Sequence, residues 1–329
     1  MQSTLRQTMS TPSTAACLAA LLVASCVAQR ATAAAMPSAA VPSSSGAAAM
    51  PMPGALAAPI GGSGTAQQVA FLGTKAHAGA YRLVGANESA GVETTLGGLP
   101  AYLASPNLSK TAKKRGPAAA VLLYSDIFGF RGNGTRKIAD RLAAEGYVAV
   151  MPDFFSGRSA GSSDPADRAF ILSIPRSDVE RGAAGVLAAL RKKYPSIKKT
   201  GAYGYCWGGR YATVAAGDLA AKGAAADAAV AFHASLVAPA EFAAISRPLL
   251  FVNAAGDPLF NETLIAIARQ AGARNAARSP PVAVEIKTFD GVRHGFAARS
   301  APNDTVATAA AEGAFTAGLA FLRRHGVLP

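Results

Sequence analysis

A cysteine set between glycines at the end of a strand-like run can do nucleophilic chemistry. Residues Gly204-Tyr205-Cys206-Trp207-Gly208-Gly209 spell G-x-C-x-G-G, a nucleophile elbow with sulfur where serine oxygen is usual. The run Gly201 to Tyr203 precedes it, and an Ala-rich helical stretch from Gly208 to Lys222 follows. A chain that turns so sharply from strand to helix needs residues without a Cβ where it passes close to itself. The turn lifts the sulfur clear and aims it at a helix N-terminus, where amides and dipole favour thiolate over thiol. The competing reading is a buried, inert cysteine that packs as a small hydrophobe. Two glycines so soon after the cysteine at a strand end favour the nucleophile.

A thiol nucleophile needs a base and a group that orients the base. Of the four histidines, His77 lies in the N-terminal stretch, and His325 sits in the last helical turn beside Arg323 and Arg324. His233 closes the apolar run Ala228 to Phe232 and so ends a core strand. His294 stands apart: it follows the strand Val282 to Phe289, in the turn-rich loop Asp290-Gly291-Val292-Arg293-His294-Gly295-Phe296. Asp257 holds the matching place after the strand Pro248 to Asn253, in Ala255-Gly256-Asp257-Pro258. Aspartate before proline also commonly caps a helix, here one starting near Leu259. Its position between Cys206 and His294 favours the orienting role, because nucleophile, acid, histidine is the chain order of α/β-hydrolases.

The order and the local motifs resemble the dienelactone hydrolase family, from about Tyr81 to the C-terminus. The Cys206 elbow, the aspartate of Ala-Gly-Asp-Pro, the triplet His294-Gly295-Phe296, and Ser125-Asp126-Ile127-Phe128-Gly129 after the run Ala118 to Tyr124 carry the resemblance. It implies an α/β-hydrolase fold and a Cys206, Asp257, His294 triad. It further implies an oxyanion hole from the Ile127 and Trp207 N–H groups, each worth about 3 kcal/mol in acyl transfer. The family's usual acidic residue in the first loop is glutamate, and here it is Asp126, one methylene shorter. Arginines hold the substrate carboxylate in the family's dienelactone-cleaving members. Arg299 lies near the place of one of them, and Arg136, Arg168 and Arg210 are candidates for the other. The segment Phe232-His233-Ala234-Ser235 is similar to the His-Pro-Ser segment of eukaryotic branches, including proteins named plant endo-1,3;1,4-β-glucanases.

The elements around these residues agree. Ala118 to Tyr124 and Tyr147 to Met151 are nearly continuous apolar runs, as in strands buried on both faces. Thr135 to Gly146 is helical in pattern and makes a β-α-β unit with them. Ser177-Asp178-Val179-Glu180 has the form of a capping box, starting a helix with the stripe Val179, Val186, Leu187 and Leu190. Phe315, Leu319 and Leu322 mark one face of the last helix. Alternating strands and helices predict one α/β domain over residues 71–329, with a mostly parallel sheet covered by helices on both faces. Phe154 to Asp167 forms a long loop near the expected pocket and is a candidate lid, and Phe128, Phe130, Trp207 and Phe296 are candidates to line the pocket.

Residues 1–80 contain no Asp or Glu. The apolar run Ala15 to Ala28, preceded by Arg6, is too short to span a bilayer and reads as a signal or transit peptide within residues 1–35. Residues 36–70 are a low-complexity Ala/Pro/Ser/Gly linker. Of seven asparagines, five stand in N-x-S/T: Asn87, Asn107, Asn133, Asn261 and Asn303. Chance pairing gives about one, so secretion is favoured, with the plastid as the alternative. Loss of the leader would remove Cys17 and Cys26 and leave Cys206 unable to form an internal disulfide. The net charge of +13 is spread over small clusters such as Arg191-Lys192-Lys193 without interleaved aromatics, which speaks against nucleic acid. A monomer without a membrane span, metal or cofactor is expected.

The sequence thus points to a hydrolase of a small ester or lactone, one that carries a carboxylate where Arg299 is used. A glycan-cleaving enzyme would need paired carboxylates, for which only Asp126 and Asp257 offer themselves. A binding protein that kept the fold and lost the chemistry is the other alternative.

Overall fold

The computed structural model describes residues 91–107, 115–131, 133–161, 165–218 and 220–329. The expected leader at 1–35, the linker at 36–70 and Asn87 lie outside them. Eight strands form one sheet: β1 (Val92–Leu96), β2 (Leu99–Ala104), β3 (Ala119–Tyr124), β4 (Val148–Pro152), β5 (Lys199–Tyr205), β6 (Ala228–Phe232), β7 (Leu249–Ala254) and β8 (Val284–Phe289). Their order is β1-β2-β4-β3-β5-β6-β7-β8. β1, β2 and β4 pair antiparallel, and every pair from β4 through β3 to β8 is parallel. This is the mostly parallel sheet that the alternating pattern predicted, and it agrees with the α/β-hydrolase fold that the resemblance implied.

The pleat explains why the central strands are apolar throughout. In β3, Ala120, Leu122 and Tyr124 enter one core, while Ala119, Val121 and Leu123 enter the other. The first core is closed by α3 (Arg176–Lys193), α4 (Trp207–Ala215) and α6 (Glu262–Ala276), through Val179, Val186, Leu187, Leu190, Tyr211 and Ile265. The second is closed by α1 (Asn133–Ala144) and α8 (Thr305–Arg324), through Ile138, Leu142, Phe315, Leu319 and Leu322. Each fully buried Leu or Phe contributes about 1.5–3 kcal/mol of transfer free energy. α8 is long and apolar enough to cross a membrane by length and composition alone. Here Ala314, Phe321 and Leu322 are buried in the domain.

Two local expectations differ from the structure. α3 starts at Arg176 after Pro175, so Ser177 lies inside the helix and does not cap it. Glu180 turns inward, paired with Arg176 at 3.5 Å, and burial raises its carboxyl above the usual range. α4 ends at Ala215, well short of Lys222, because the chain leaves the helix to bond Ser246 and Arg247 N–H through the Ala216 carbonyl (3.0 and 2.9 Å). The remaining helices are short connections: α2 (Pro165–Ser173), α5 (Pro239–Ala243) and α7 (Phe296–Arg299).

Candidate active site

Parallel strands all end at one edge of the sheet, so the residues that follow them gather there. Cys206 follows β5, His233 and Ser235 follow β6, Asp257 follows β7, His294 follows β8 and Asp126 follows β3. Cys206 is the residue before α4 and has φ 56° and ψ −113°, a conformation that costs a non-glycine residue about 1–3 kcal/mol. Its neighbours hold it there. Cys206 N–H donates to the Phe232 carbonyl at 3.1 Å, and Ser235 and Gly209 N–H donate to the Cys206 carbonyl at 3.0 and 2.9 Å. The glycines are needed for close approach: a Cβ on Gly208 would strike the Tyr124 carbonyl, and one on Gly204 the Gly208 carbonyl. The thiol is buried and lies 3.6 Å from the Ser235 hydroxyl.

Asp257 and His294 come together as a buried pair, Nδ1 to Oδ2 at 2.8 Å. The second carboxylate oxygen of Asp257 accepts from Leu259 N–H at 2.9 Å, so both oxygens have fixed donors. α6 is capped instead by Asn261, whose side chain accepts from Leu264 N–H at 3.2 Å. Asp257 is therefore free of the capping duty that its place before Pro258 suggested. With Asp257 accepting at Nδ1, the neutral imidazole carries its proton there and presents Nε2 as the basic nitrogen.

His233 lies beneath this pair. It is wholly buried at φ 36°, its ring edge-on to His294 with centroids 5.0 Å apart. Neither of its ring nitrogens has a hydrogen-bond partner among the described residues. Burial above all, then the neighbouring His294 and Arg299, push its basicity well below the usual histidine range, so it stays neutral. His233 and Ser235 thus touch the histidine and the cysteine respectively. Their one prior mark was the segment Phe232 to Ser235 at the end of an apolar strand.

Asp126 and Arg299 also meet. Oδ2 of Asp126 lies 3.1 Å from Arg299 Nε, and Oδ1 accepts from Phe128 N–H at 3.0 Å. The guanidinium packs 4.4 Å from the centre of the Phe128 ring. Arg136 is drawn instead to Glu93 and Arg210 to Glu241, while Arg168 lies on α2. Ile127 and Trp207 are both buried, and no backbone hydrogen bond takes either N–H among the described residues. The four expected pocket aromatics divide between the two cores. Trp207 packs on Phe155 (4.8 Å) and Tyr211 (4.3 Å), whereas Phe130 and Phe296 belong to the core on the other side of the sheet. Part of the candidate lid is anchored: Asp153 accepts from Phe155 and Gly157 N–H at 2.9 and 2.6 Å. Among the described residues no group of three or more His, Cys, Asp or Glu could hold a metal ion.

Solved structures with this fold include a candidate dienelactone hydrolase from Klebsiella pneumoniae subsp. pneumoniae, at TM-score 0.56 and 23% identity, covering 69% of this chain and 93% of that one. Esterase 2 of Thermogutta terrifontis matches at TM-score 0.53 and 18% identity, over 75% and 99%. Among curated proteins, Hydrolase pyvD of Aspergillus violaceofuscus is 30% identical over 72% of this chain and 91% of its own length. The human carboxymethylenebutenolidase homolog is 28% identical over 55% and 71%. The family model described as the dienelactone hydrolase family matches residues 99–326. With most of its length spanned by that match, the chain belongs to the dienelactone hydrolase family.

Proposed function

We propose that this protein hydrolyses a small carboxylic ester or lactone through a thioester on Cys206. The observation that carries the proposal is the buried Asp257–His294 hydrogen bond at the sheet edge where the strained Cys206 elbow ends. Cys206 loses its proton to Nε2 of His294, and the sulfur attacks the ester carbonyl. The oxyanion is held by the Ile127 and Trp207 amides and by the N-terminal end of α4. The tetrahedral intermediate collapses to the thioester, and the departing alkoxide takes the proton from the imidazolium. His294 then removes a proton from water, whose oxygen attacks the thioester. Thiolate leaves, and the carboxylic acid product is released. Asp257 holds the tautomer throughout, and the Ser235 hydroxyl donates to the thiolate.

Related proteins named hydrolase, carboxymethylenebutenolidase homolog and esterase support the reaction class. Arg299 offers a cation for a substrate carboxylate, with Asp126 as its partner when no substrate is bound. Glycan cleavage gains no support: Asp126 is committed to Arg299 and Phe128, and Asp257 to His294 and Leu259, which leaves neither as a general acid across a sugar.

The test is p-nitrophenyl acetate hydrolysis by the full chain and by Cys206→Ala, each before and after iodoacetamide. The full chain also contains Cys17 and Cys26, so the variant isolates the effect at Cys206. Turnover lost both on alkylation and in the variant supports the thioester route. Hydrolysis at the original rate by folded Cys206→Ala overturns it.

A further inference from the structure

The asparagines divide sharply by position. Asn253 and Asn275, the two outside N-x-S/T, are 1% and 2% exposed. Each uses its side-chain nitrogen on a backbone carbonyl: Asn253 donates to Phe260 at 3.1 Å, and Asn275 to Ala271 at 2.9 Å. Asn107, Asn261 and Asn303 are exposed, and all three begin N-x-S/T. Among the described residues, then, every exposed asparagine side chain is an acceptor signal for N-glycosylation, and every buried one is a hydrogen-bonded core residue. Ordinary turn and cap use would put exposed asparagines before any residue type. Asn-Asp-Thr is itself an ordinary cap sequence, as at Asn303 beside the Asp304 cap, but such use accounts less well for Asn107.

We infer that Asn261 and Asn303 carry N-linked glycans and that the chain matures in the secretory pathway. The local structure accepts both. Asn261 caps α6 through its carbonyl oxygen, and a glycan on the nitrogen leaves that oxygen bonded to Leu264 N–H. Glu262 and Thr263 are exposed beside it, so the whole signal can be reached. Asn303, Asp304 and Thr305 are likewise all exposed, and the cap of α8 is made by Asp304, at 2.9 Å from Ala307 N–H, without help from Asn303. In the transfer, the amide nitrogen loses one proton and bonds to the anomeric carbon of an oligosaccharide. The bond from that carbon to the diphosphate of its polyprenol carrier breaks, and the lipid diphosphate leaves with the electron pair. Both sites follow strands at the sheet edge that carries Asp257 and His294. Glycans there stand on the same side of the molecule as the candidate site. Burial of Cys206, 2% exposed, shields its thiol in an oxidising compartment.

The experiment uses the protein isolated from its own cells, digested and treated with peptide:N-glycanase in heavy-oxygen water, beside an untreated sample in the same water. The enzyme converts glycosylated asparagine to aspartate and leaves heavy oxygen in the new carboxylate. Heavy-oxygen aspartate at positions 261 and 303 in the treated sample alone is the expected result. Unmodified asparagine at both positions overturns the inference, and so does equal incorporation without enzyme, which is spontaneous deamidation. As a second arm, Thr263→Ala and Thr305→Ala in the full chain are each expected to remove one glycan, seen as a step in gel mobility. Both threonines are exposed, so the fold is not at stake. Mobility unchanged by either variant also overturns it.

Discussion

Replacing Asp257 with Asn tests the geometry of the site more sharply than removing it. The carboxylate has two donors to satisfy, Leu259 N–H on one oxygen and the His294 Nδ1 proton on the other, at 2.9 and 2.8 Å. Asparagine has one oxygen and one NH2. Keeping its oxygen on Leu259 turns the NH2 toward His294, which must then accept at Nδ1 and move its proton to Nε2. The nitrogen that should take the Cys206 proton is then already protonated. In a Ser-His-Asp enzyme the equivalent change costs about 10⁴ in kcat, or about 5 kcal/mol of transition-state stabilisation. We expect a loss of that order here, with KM little changed, because Asp257 is too buried to touch substrate. The assay is steady-state hydrolysis of p-nitrophenyl acetate, with urea unfolding to show that the variant is folded. A folded Asp257→Asn enzyme that keeps more than about a tenth of wild-type kcat would refute the tautomer argument and, with it, the role of His294 as base.

Other consequences can be measured. Ser235→Ala removes the hydroxyl 3.6 Å from Cys206 Sγ; a hydrogen bond to a charged group is worth about 1.5 kcal/mol, so iodoacetamide alkylation of Cys206 near neutral pH should slow about tenfold, and an unchanged rate removes Ser235 from the mechanism. His233 is held neutral in the folded protein, while the unfolded chain binds its proton below about pH 6.5. Its contribution to stability is therefore present above pH 6.5 and declines by about 1.4 kcal/mol per pH unit below it, until the folded protein also protonates. His233→Asn, whose residue type tolerates positive φ, should flatten that decline in urea titrations between acid and neutral pH; an identical decline assigns it to other groups. Gly208→Ala drives a Cβ into the Tyr124 carbonyl and should cost about 1–3 kcal/mol or more in urea unfolding, and wild-type stability would mean the elbow is not tightly fixed.

Much of the site was legible because its parts are local. G-x-C-x-G-G names a backbone geometry, a strand turning at once into a helix, and Cys206 adopts it with φ 56°. Asp257 and His294 were legible as turn residues after apolar strands, since strand and turn patterns are written over a few neighbouring residues. The buried runs of β3, β4, β6 and β7 announced a sheet covered on both faces. Pairing was another matter. That Asp257 and His294 are hydrogen-bonded, that Asp126 meets Arg299, and that His233 and Ser235 lie against His294 and Cys206 depend on the strand order β3-β5-β6-β7-β8 and on rotamers fixed by packing. Neither is encoded in any short window. The start of α3 makes the same point from the other direction. Ser177 and Glu180 match a capping box locally, yet burial against the core draws Glu180 inward and the helix begins at Arg176. The sequence by itself determined the fold class, the elbow and the residue types available for chemistry, because short-range sterics and hydrophobic periodicity act within an element. Only the tertiary structure decided which polar groups face one another, because that follows from the packing of distant elements into one low-dielectric interior.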